Sequence, residues 1–262
     1  GLVGNVSLPD GTVVDGTNAA KVLMHDVYWN YPVEESDGIF ASVASAAFDK
    51  ILGGIGDVDV TKLVSAVERG AEEGRLIAWM RNDDEQSAIK ETGIDASLPD
   101  PDDPSADPVA GVYFNNLSFS KLDWYLNADT QIGQGVKNGD GTCSYRITVT
   151  LTNIMTREEA GKLPDYVAAS APDAARDDER LNVSLFAPTG GNISDLTVEG
   201  TQFGLGAATW HGIPFYSGTV DLHAGETTTI TYTLTTSAEA GDKPLTLRQT
   251  PTCQAARDSA SA

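Results

Sequence analysis

Residues 144–153 read Ser144-Tyr145-Arg146-Ile147-Thr148-Val149-Thr150-Leu151-Thr152-Asn153. Tyr145, Ile147, Val149 and Leu151 occupy alternate positions, with Arg and Thr between them. A period of two places the apolar set on one face of a strand and the polar set on the other. The same reading extends in both directions. Gly111 to Phe114 and Lys121 to Ile132 read as a hairpin, with Leu122, Trp124 and Leu126 alternating against Asp123, Tyr125 and Asn127. Downstream, strands are expected at Leu181–Ala187, Ile193–Val198, Phe215–Leu222, Thr227–Thr236 and Leu245–Gln249. Turn residues separate them at Pro188-Thr189-Gly190-Gly191, Glu199-Gly200 and Ala224-Gly225-Glu226. Many short strands at this spacing predict an antiparallel, immunoglobulin-like β-sandwich over residues 111–253. Residues 156–180 break the pattern with charge, alanine and proline and read as an irregular excursion. Residues 254–262 read as a flexible tail.

Upstream the period changes. Val6-Ser7-Leu8, Pro9-Asp10-Gly11 and Thr12-Val13-Val14 read as two short strands about a turn. A helix is expected from about Thr17 to Tyr31, stopped by Pro32. A second helix, capped by Asp37, carries Ile39, Phe40, Val43, Ala44, Ala47, Phe48, Ile51 and Leu52 as a buried stripe of period 3.6. A third starts at Asp59, turns Val60, Leu63, Val64 and Val67 inward, and ends near Gly74. Arg75 to Met80 reads as a buried strand, and Asp83 or Asp84 caps a short helix to Glu91. Residues 99–108, Pro-Asp-Pro-Asp-Asp-Pro-Ser-Ala-Asp-Pro, read as an extended, exposed segment. The expected organisation is α+β. It has a helix-rich α/β segment at 1–98, part of a larger domain, then an acidic Pro-rich linker or loop at 99–110, then the sandwich.

Composition limits the function. The 262 residues hold 17 Lys+Arg against 38 Asp+Glu, a net charge of −21. That argues against nucleic acid, whose phosphates need a basic face, and against an anionic membrane surface. The favoured reading of the acidity is a solvated surface kept soluble by self-repulsion. No apolar run approaches the ~18 residues of a membrane span. Gly1-Leu2-Val3-Gly4 has no basic region ahead of an apolar stretch, so no signal peptide is visible.

Few residues point to chemistry. His25, His211 and His223 lack metal-ligand spacing, and there is no nucleophile elbow and no phosphate loop. No metal and no cofactor is expected. The densest polar and aromatic group is His25-Asp26-Val27-Tyr28-Trp29-Asn30-Tyr31. His25, Asp26, Tyr28 and Trp29 are the candidate binding residues, with the aromatics as a sugar-stacking platform and Asp26 as a hydroxyl acceptor. The alternative has Tyr28 and Trp29 packing on the next helix. Cys143 and Cys253, the only cysteines, stand at the start of one expected strand and just past another. A long-range disulfide between them is expected, in keeping with an exported protein.

Several segments resemble an actinobacterial family known as domain of unknown function 4012. They are residues 10–29, Gly74-Arg75-Leu76-Ile77-Ala78-Trp79, Gly111-Val112-Tyr113-Phe114-Asn115-Asn116 with Lys121-Leu122-Asp123, Leu163-Pro164-Asp165-Tyr166-Val167, and Phe186-Ala187-Pro188 with Gly190. The resemblance implies that this chain is the C-terminal part of a membrane-anchored protein at the extracellular face of the cell envelope. It carries no activity. Val14-Asp15-Gly16-Thr17-Asn18-Ala19-Ala20 also resembles the helix start of LytR-CpsA-Psr phosphotransferases, which move glycopolymers from a polyprenyl pyrophosphate to the cell wall. Their Arg-x-Arg falls here on Met24 and Asp26, and Asp26 would repel pyrophosphate. The expectation is therefore a non-catalytic module binding a cell-wall glycan or an envelope protein. The alternative is a divergent glycopolymer transferase whose active site lies mostly upstream.

Overall fold

The structure, a computed structural model, describes residues 4–8, 10–53, 60–92, 94–95, 99–199 and 205–254. Its elements in chain order begin with strands β1 (Val6–Ser7) and β2 (Val13–Val14). Helices α1 (Ala19–Lys21) and α2 (Val27–Asn30) flank a π-helical turn at Val22–Asp26 and form one continuous helical run with it. Helices α3 (Val33–Gly53), α4 (Val60–Glu72) and α5 (Asp83–Thr92) follow. The β-rich part holds β3 (Val109–Asn116), β4 (Leu126–Ile132), β5 (Val136–Lys137), β6 (Cys143–Asn153), helix α6 (Arg157–Ala160), β7 (Glu179–Phe186), β8 (Asn192–Glu199), β9 (Gly206–Trp210), β10 (Ile213–Leu222), β11 (Thr227–Thr235) and β12 (Thr246–Gln249). The class is α+β.

Two sheets enclose the main core. One runs β12-β3-β7-β10-β9 and the other β4-β6-β11-β8, with β5 on the edge of β6. Alternation dictates what lies between them. Ile147, Val149 and Leu151 of β6 meet Leu181, Val183 and Leu185 of β7, Val220 and Leu222 of β10, and Ile230, Tyr232 and Leu234 of β11 in one buried cluster. The intervening residues of β6 and β11 are mostly Thr and face outward, where Thr152 and Thr227 (3.0 Å) and Thr197 and Thr231 (2.6 Å) pair across strands. Asn153 ends β6 fully buried. Its amide donates to the Leu222 carbonyl (3.0 Å) and the Asp177 carbonyl (3.3 Å), and its side-chain oxygen accepts from the Met155 N–H.

Two smaller clusters flank the sheets. Leu122, Tyr125, Met155, Leu163, Val167 and Ala168 form one, so the 156–180 excursion folds back on the turn Leu122–Tyr125. Thr156 starts α6 with a capping box, exchanging hydrogen bonds with Glu159. The other cluster joins Leu8, Val14, Val22, Val27 and Ile39, which packs the β1–β2 hairpin on the helices. The helical run 19–30 belongs to both clusters, with Val22 and Val27 in one and Tyr28 and Trp29 against the other.

The structure corrects several expectations. β3 and β4 lie in different sheets and form no hairpin. Leu122 and Tyr125 are buried together because residues 122–125 are a 3-10 turn, whose i,i+3 side chains align. β12 pairs with β3 in parallel, so the sheets are not wholly antiparallel. Helix α3 begins at Val33 rather than after Asp37. Pro32 holds Tyr31 extended (ψ 149°), and Glu34 and Glu35 then favour a helix N-terminus. On its stripe Ile39 is buried, but Phe48 is 65% exposed. Val64 and Val67 of α4 are also exposed. Residues 75–80 form no strand, and Ile77 and Trp79 are 63% and 74% exposed, because no strand among the described residues pairs with them. The Asp59 cap lies outside the described residues, and Asn82 caps α5 through hydrogen bonds from the Asp84 and Glu85 N–H groups. The 99–108 segment is a series of turns fixed to the second body. The Thr189 hydroxyl donates to the Asp100 carbonyl, and the Lys243 ammonium to the Ser105 carbonyl.

Cys143 and Cys253 are both free thiols, so the expected disulfide is not formed. The reason is the parallel β12. Past Gln249 the chain runs to the Trp124 end of the molecule, where the Gln254 amide donates to the Trp124 carbonyl at 2.6 Å. Cys143 starts β6, whose other end, Asn153, pairs with Leu126. The length of β6 at about 3.4 Å per residue sets the thiols roughly 30 Å apart, against an upper bound of about 7 Å between bridged Cα atoms. A non-reducing peptide map should show both cysteines alkylated, and the thermal melt should not respond to reductant.

Inward alternation along β7 reaches one residue too far. Glu179 shares the parity of Leu181, is fully buried, and neither carboxyl oxygen has a hydrogen-bond partner. Burial, with Asp123 and Asp178 adding to it, pushes this carboxyl well above the usual carboxylate range. The folded protein then keeps a proton that the unfolded chain releases above about pH 4.3. Stability falls as pH rises from there towards the folded pKa, by up to about 1.4 kcal/mol per pH unit. Glu179→Gln should remove this fall and be more stable than the parent chain at neutral pH. Urea unfolding at about pH 5 and about pH 7 measures it.

Candidate functional site

The four candidate binding residues lie on the helical run that joins the two smaller clusters. Asp15 starts that run. Its carboxylate accepts from the Thr17 N–H (2.7 Å) and hydroxyl (2.6 Å), and its own N–H donates to the Asn18 side chain at 2.9 Å. His25 and Asp26 fall in the π-turn Val22–Asp26, a local widening that often marks functional positions. Tyr28 and Trp29 fall in α2.

His25 is held on every side. Its Nδ1 lies 2.7 Å from Asp26 Oδ1 and its Nε2 lies 2.8 Å from the Tyr125 hydroxyl. An ionised carboxylate only accepts, so the proton sits on Nδ1 and Nε2 accepts from Tyr125. Lys21 grips both Asp26 oxygens, at 2.6 and 2.8 Å. Burial works to raise the Asp26 pKa, but hydrogen bonds from Lys21 and His25 outweigh it and hold the carboxyl below its ordinary value. Burial pushes the Tyr125 phenol up. The faces of the imidazole are covered. Trp29 stacks on it at 5.4 Å and 20°, Trp124 tilts against it at 5.7 Å, and Tyr125 meets it edge-on at 5.6 Å.

The other two residues face the excursion. Tyr28 sits between Phe40 (5.6 Å) and Tyr166 (5.9 Å). The Lys121 ammonium lies 5.5 Å from the Tyr28 ring and 5.7 Å from Tyr166, a cation–π bridge. The Trp29 indole N–H is buried without a hydrogen-bond partner. It lies near enough to Tyr125 to act on the phenol, but outside hydrogen-bonding geometry.

The sequence places all four residues on one element, and the structure brings them together with Lys21, Lys121, Trp124, Tyr125 and Tyr166. Those partners were not foreseen. The usable signal was the i,i+3 pair Leu122 and Tyr125 in a stretch read as a strand. Asp26–His25–Tyr125 has the order of an acid–base relay onto a hydroxyl. Tyr125 is nonetheless buried and its proton tightly held, so the relay reaches no substrate. Chemically the arrangement is a closed joint. His211 lies elsewhere, at the β9–β10 turn, and His223 lies near Asp177 at 3.7 Å. Among the described residues no group of three or more His, Cys, Asp or Glu could hold a metal ion.

His25→Ala removes two hydrogen bonds and a stacked ring, and should cost about 2–3 kcal/mol. Tyr125→Phe, which keeps the ring, should cost about 1 kcal/mol. Urea unfolding of both variants checks the ratio.

No protein-family model and no curated protein matches the sequence. Among solved structures, a protein of Legionella pneumophila described as a candidate nutrient-binding protein aligns with 50% of this chain, at 10% identity and a TM-score of 0.26. The alignment covers 45% of that chain, and at this similarity it carries no argument about fold or function.

Proposed function

We propose that the chain is a non-catalytic binding module of an envelope-anchored extracellular protein, and that its two-sheet body is an immunoglobulin-like sandwich. One observation carries the reading: the histidine–carboxylate pair best suited to acid–base work ends on a buried tyrosine hydroxyl with all its ring faces covered. The extracellular, envelope-anchored setting rests on the resemblance to the domain of unknown function 4012 family. The partner class in this reading is a cell-wall glycan or an envelope protein. The sandwich supports such a role by presenting broad outer sheet faces that catalysis does not require.

The rival, a divergent glycopolymer transferase, draws on the helix start at residues 14–20. That helix presents Met24 and Asp26 where a pyrophosphate-binding site needs arginines. Lys21 supplies one cation nearby, but both its short contacts go to Asp26. A carboxylate at that position opposes a diphosphate rather than binding it.

Incubation of the chain with a polyprenyl-pyrophosphate-linked oligosaccharide and a cell-wall acceptor should give no transfer. A glycan array should give binding. Turnover that disappears in Asp26→Ala would establish the transferase instead.

A further inference from the structure

The two sheets present very different outer faces. On β6 and β11 the outward positions are mostly threonines, as expected for a wet face. The sheet β12-β3-β7-β10-β9 breaks that rule at one end. Its register brings together rows of outward side chains. Ile213 pairs with Trp210, and Gly111, Phe186, Phe215 and Ala208 lie side by side in the next row. Tyr113, Ser184 and Ser217 follow, then Asn115, Asn182 and Thr219. Phe186 stacks on Phe215 at 4.6 Å, and Tyr113 meets Phe186 edge-on at 5.7 Å. Trp210 is 40% exposed.

Gly111 makes this surface hollow. A Cβ there would come within 2.8 Å of the Tyr113 ring and 2.9 Å of Phe186, so glycine lets Tyr113 lie down across the sheet. The resulting concavity of about 310 Å³ is lined by Tyr113, Phe186, Trp210, Ile213, Val109 and Pro99, together with Gly111 and Ala187. Its lining is almost entirely carbon. The pyrrolidine of Pro99, a saturated ring, already lies among the aromatics. Along the strands the hollow opens onto hydroxyls and amides. Ser184 and Ser217 bond to each other (2.9 Å), and Ser217 donates to the Asn182 oxygen (3.1 Å). The amide N–H groups of Asn182 and Asn115 make no hydrogen bond among the described residues.

We propose that this hollow is a glycan-binding subsite, taking one sugar ring against Tyr113 and Trp210 while neighbouring sugars lie over the Ser184–Ser217 and Asn115–Asn182 rows. The proposal rests on the binding-module reading above and gives it a surface and a ligand. A sugar ring has an apolar C–H face that suits aromatic carbon and a rim of hydroxyls that suits neutral amides and hydroxyls. Successive outward rows are about 7 Å apart, close to the scale of one ring. A net charge of −21 favours a neutral chain over an anionic one. A peptide is less well matched. β3, β7 and β10 each have strands on both sides, so the face offers no free backbone for strand addition.

The test is calorimetric titration of the whole chain with chitin, cellulose and mannan oligosaccharides, and with a polyproline peptide as the rival saturated-ring ligand. At least one oligosaccharide should bind at up to millimolar concentration, and Tyr113→Ala and Trp210→Ala should each weaken it by about tenfold or more. Trp210 is exposed on an edge strand, so its variant should keep the parent's circular dichroism. Trp79→Ala, on a different exposed surface, should bind as the parent does. Oligosaccharide binding untouched by both cleft variants would overturn this site while leaving the binding module standing. Polyproline binding lost in the variants, with no sugar bound, would overturn the ligand class. No binding by any probe would overturn the proposal outright.

Discussion

The buried amide of Asn153 is the constraint on which the β-rich half depends. It ends β6, and in the same place it anchors the end of β10 through Leu222 and the excursion through Asp177. Its backbone adds bonds to Glu226 and Gly225 in the β10–β11 turn. One side chain thus satisfies carbonyls from two separate segments that would otherwise be buried and unpaired. Such satisfied networks specify a single arrangement more than they add net stability. Because the excursion is fixed there, Leu163, Val167 and Ala168 can cover Leu122 and Tyr125, and Tyr125 can in turn receive His25.

The helical run 19–30 is therefore the only described helix seated in both small clusters, and it relates the N-terminal hairpin to the sheets. Its polar residues serve attachment. Lys21, Asp26, His25 and Tyr125 form a continuous chain of bonds from the surface inward. The helices beyond it are different. α4 and the segment 75–80 leave Val64, Val67, Ile77 and Trp79 in the open. The first part of the chain is thus well packed only where it meets the second.

Most strands were readable from alternation because each has one wet and one dry face. β6, β7, β8, β10 and β11 lie where the period of two places them. Failures came where another interaction outweighs the period. Leu122, Trp124 and Leu126 alternate perfectly, yet a 3-10 turn buries Leu122 with Tyr125. Arg75 to Met80 is apolar enough for a core strand, but burial needs a partner that composition cannot supply. The cysteines sat at plausible strand ends, and only the parallel pairing of β12 separates them. For the candidate site, proximity along a helix identified His25, Asp26, Tyr28 and Trp29. Their partners arrive from a hundred residues downstream, which no local pattern encodes. The aromatic hollow is likewise invisible in sequence, because Tyr113, Phe186 and Trp210 are brought together by cross-strand register alone.

The π-turn at Val22–Asp26 has a consequence for how this joint tolerates change. A π-turn holds one residue more than the α-helical path it replaces. Deleting a single residue there would restore regular winding and turn everything beyond it by about 100°. Trp29 and Tyr28 would then swing off the excursion while Val22 stayed in its cluster. The attachment of the two halves is in this sense a matter of counting, set by the length of one short stretch of backbone as much as by which side chains it bears.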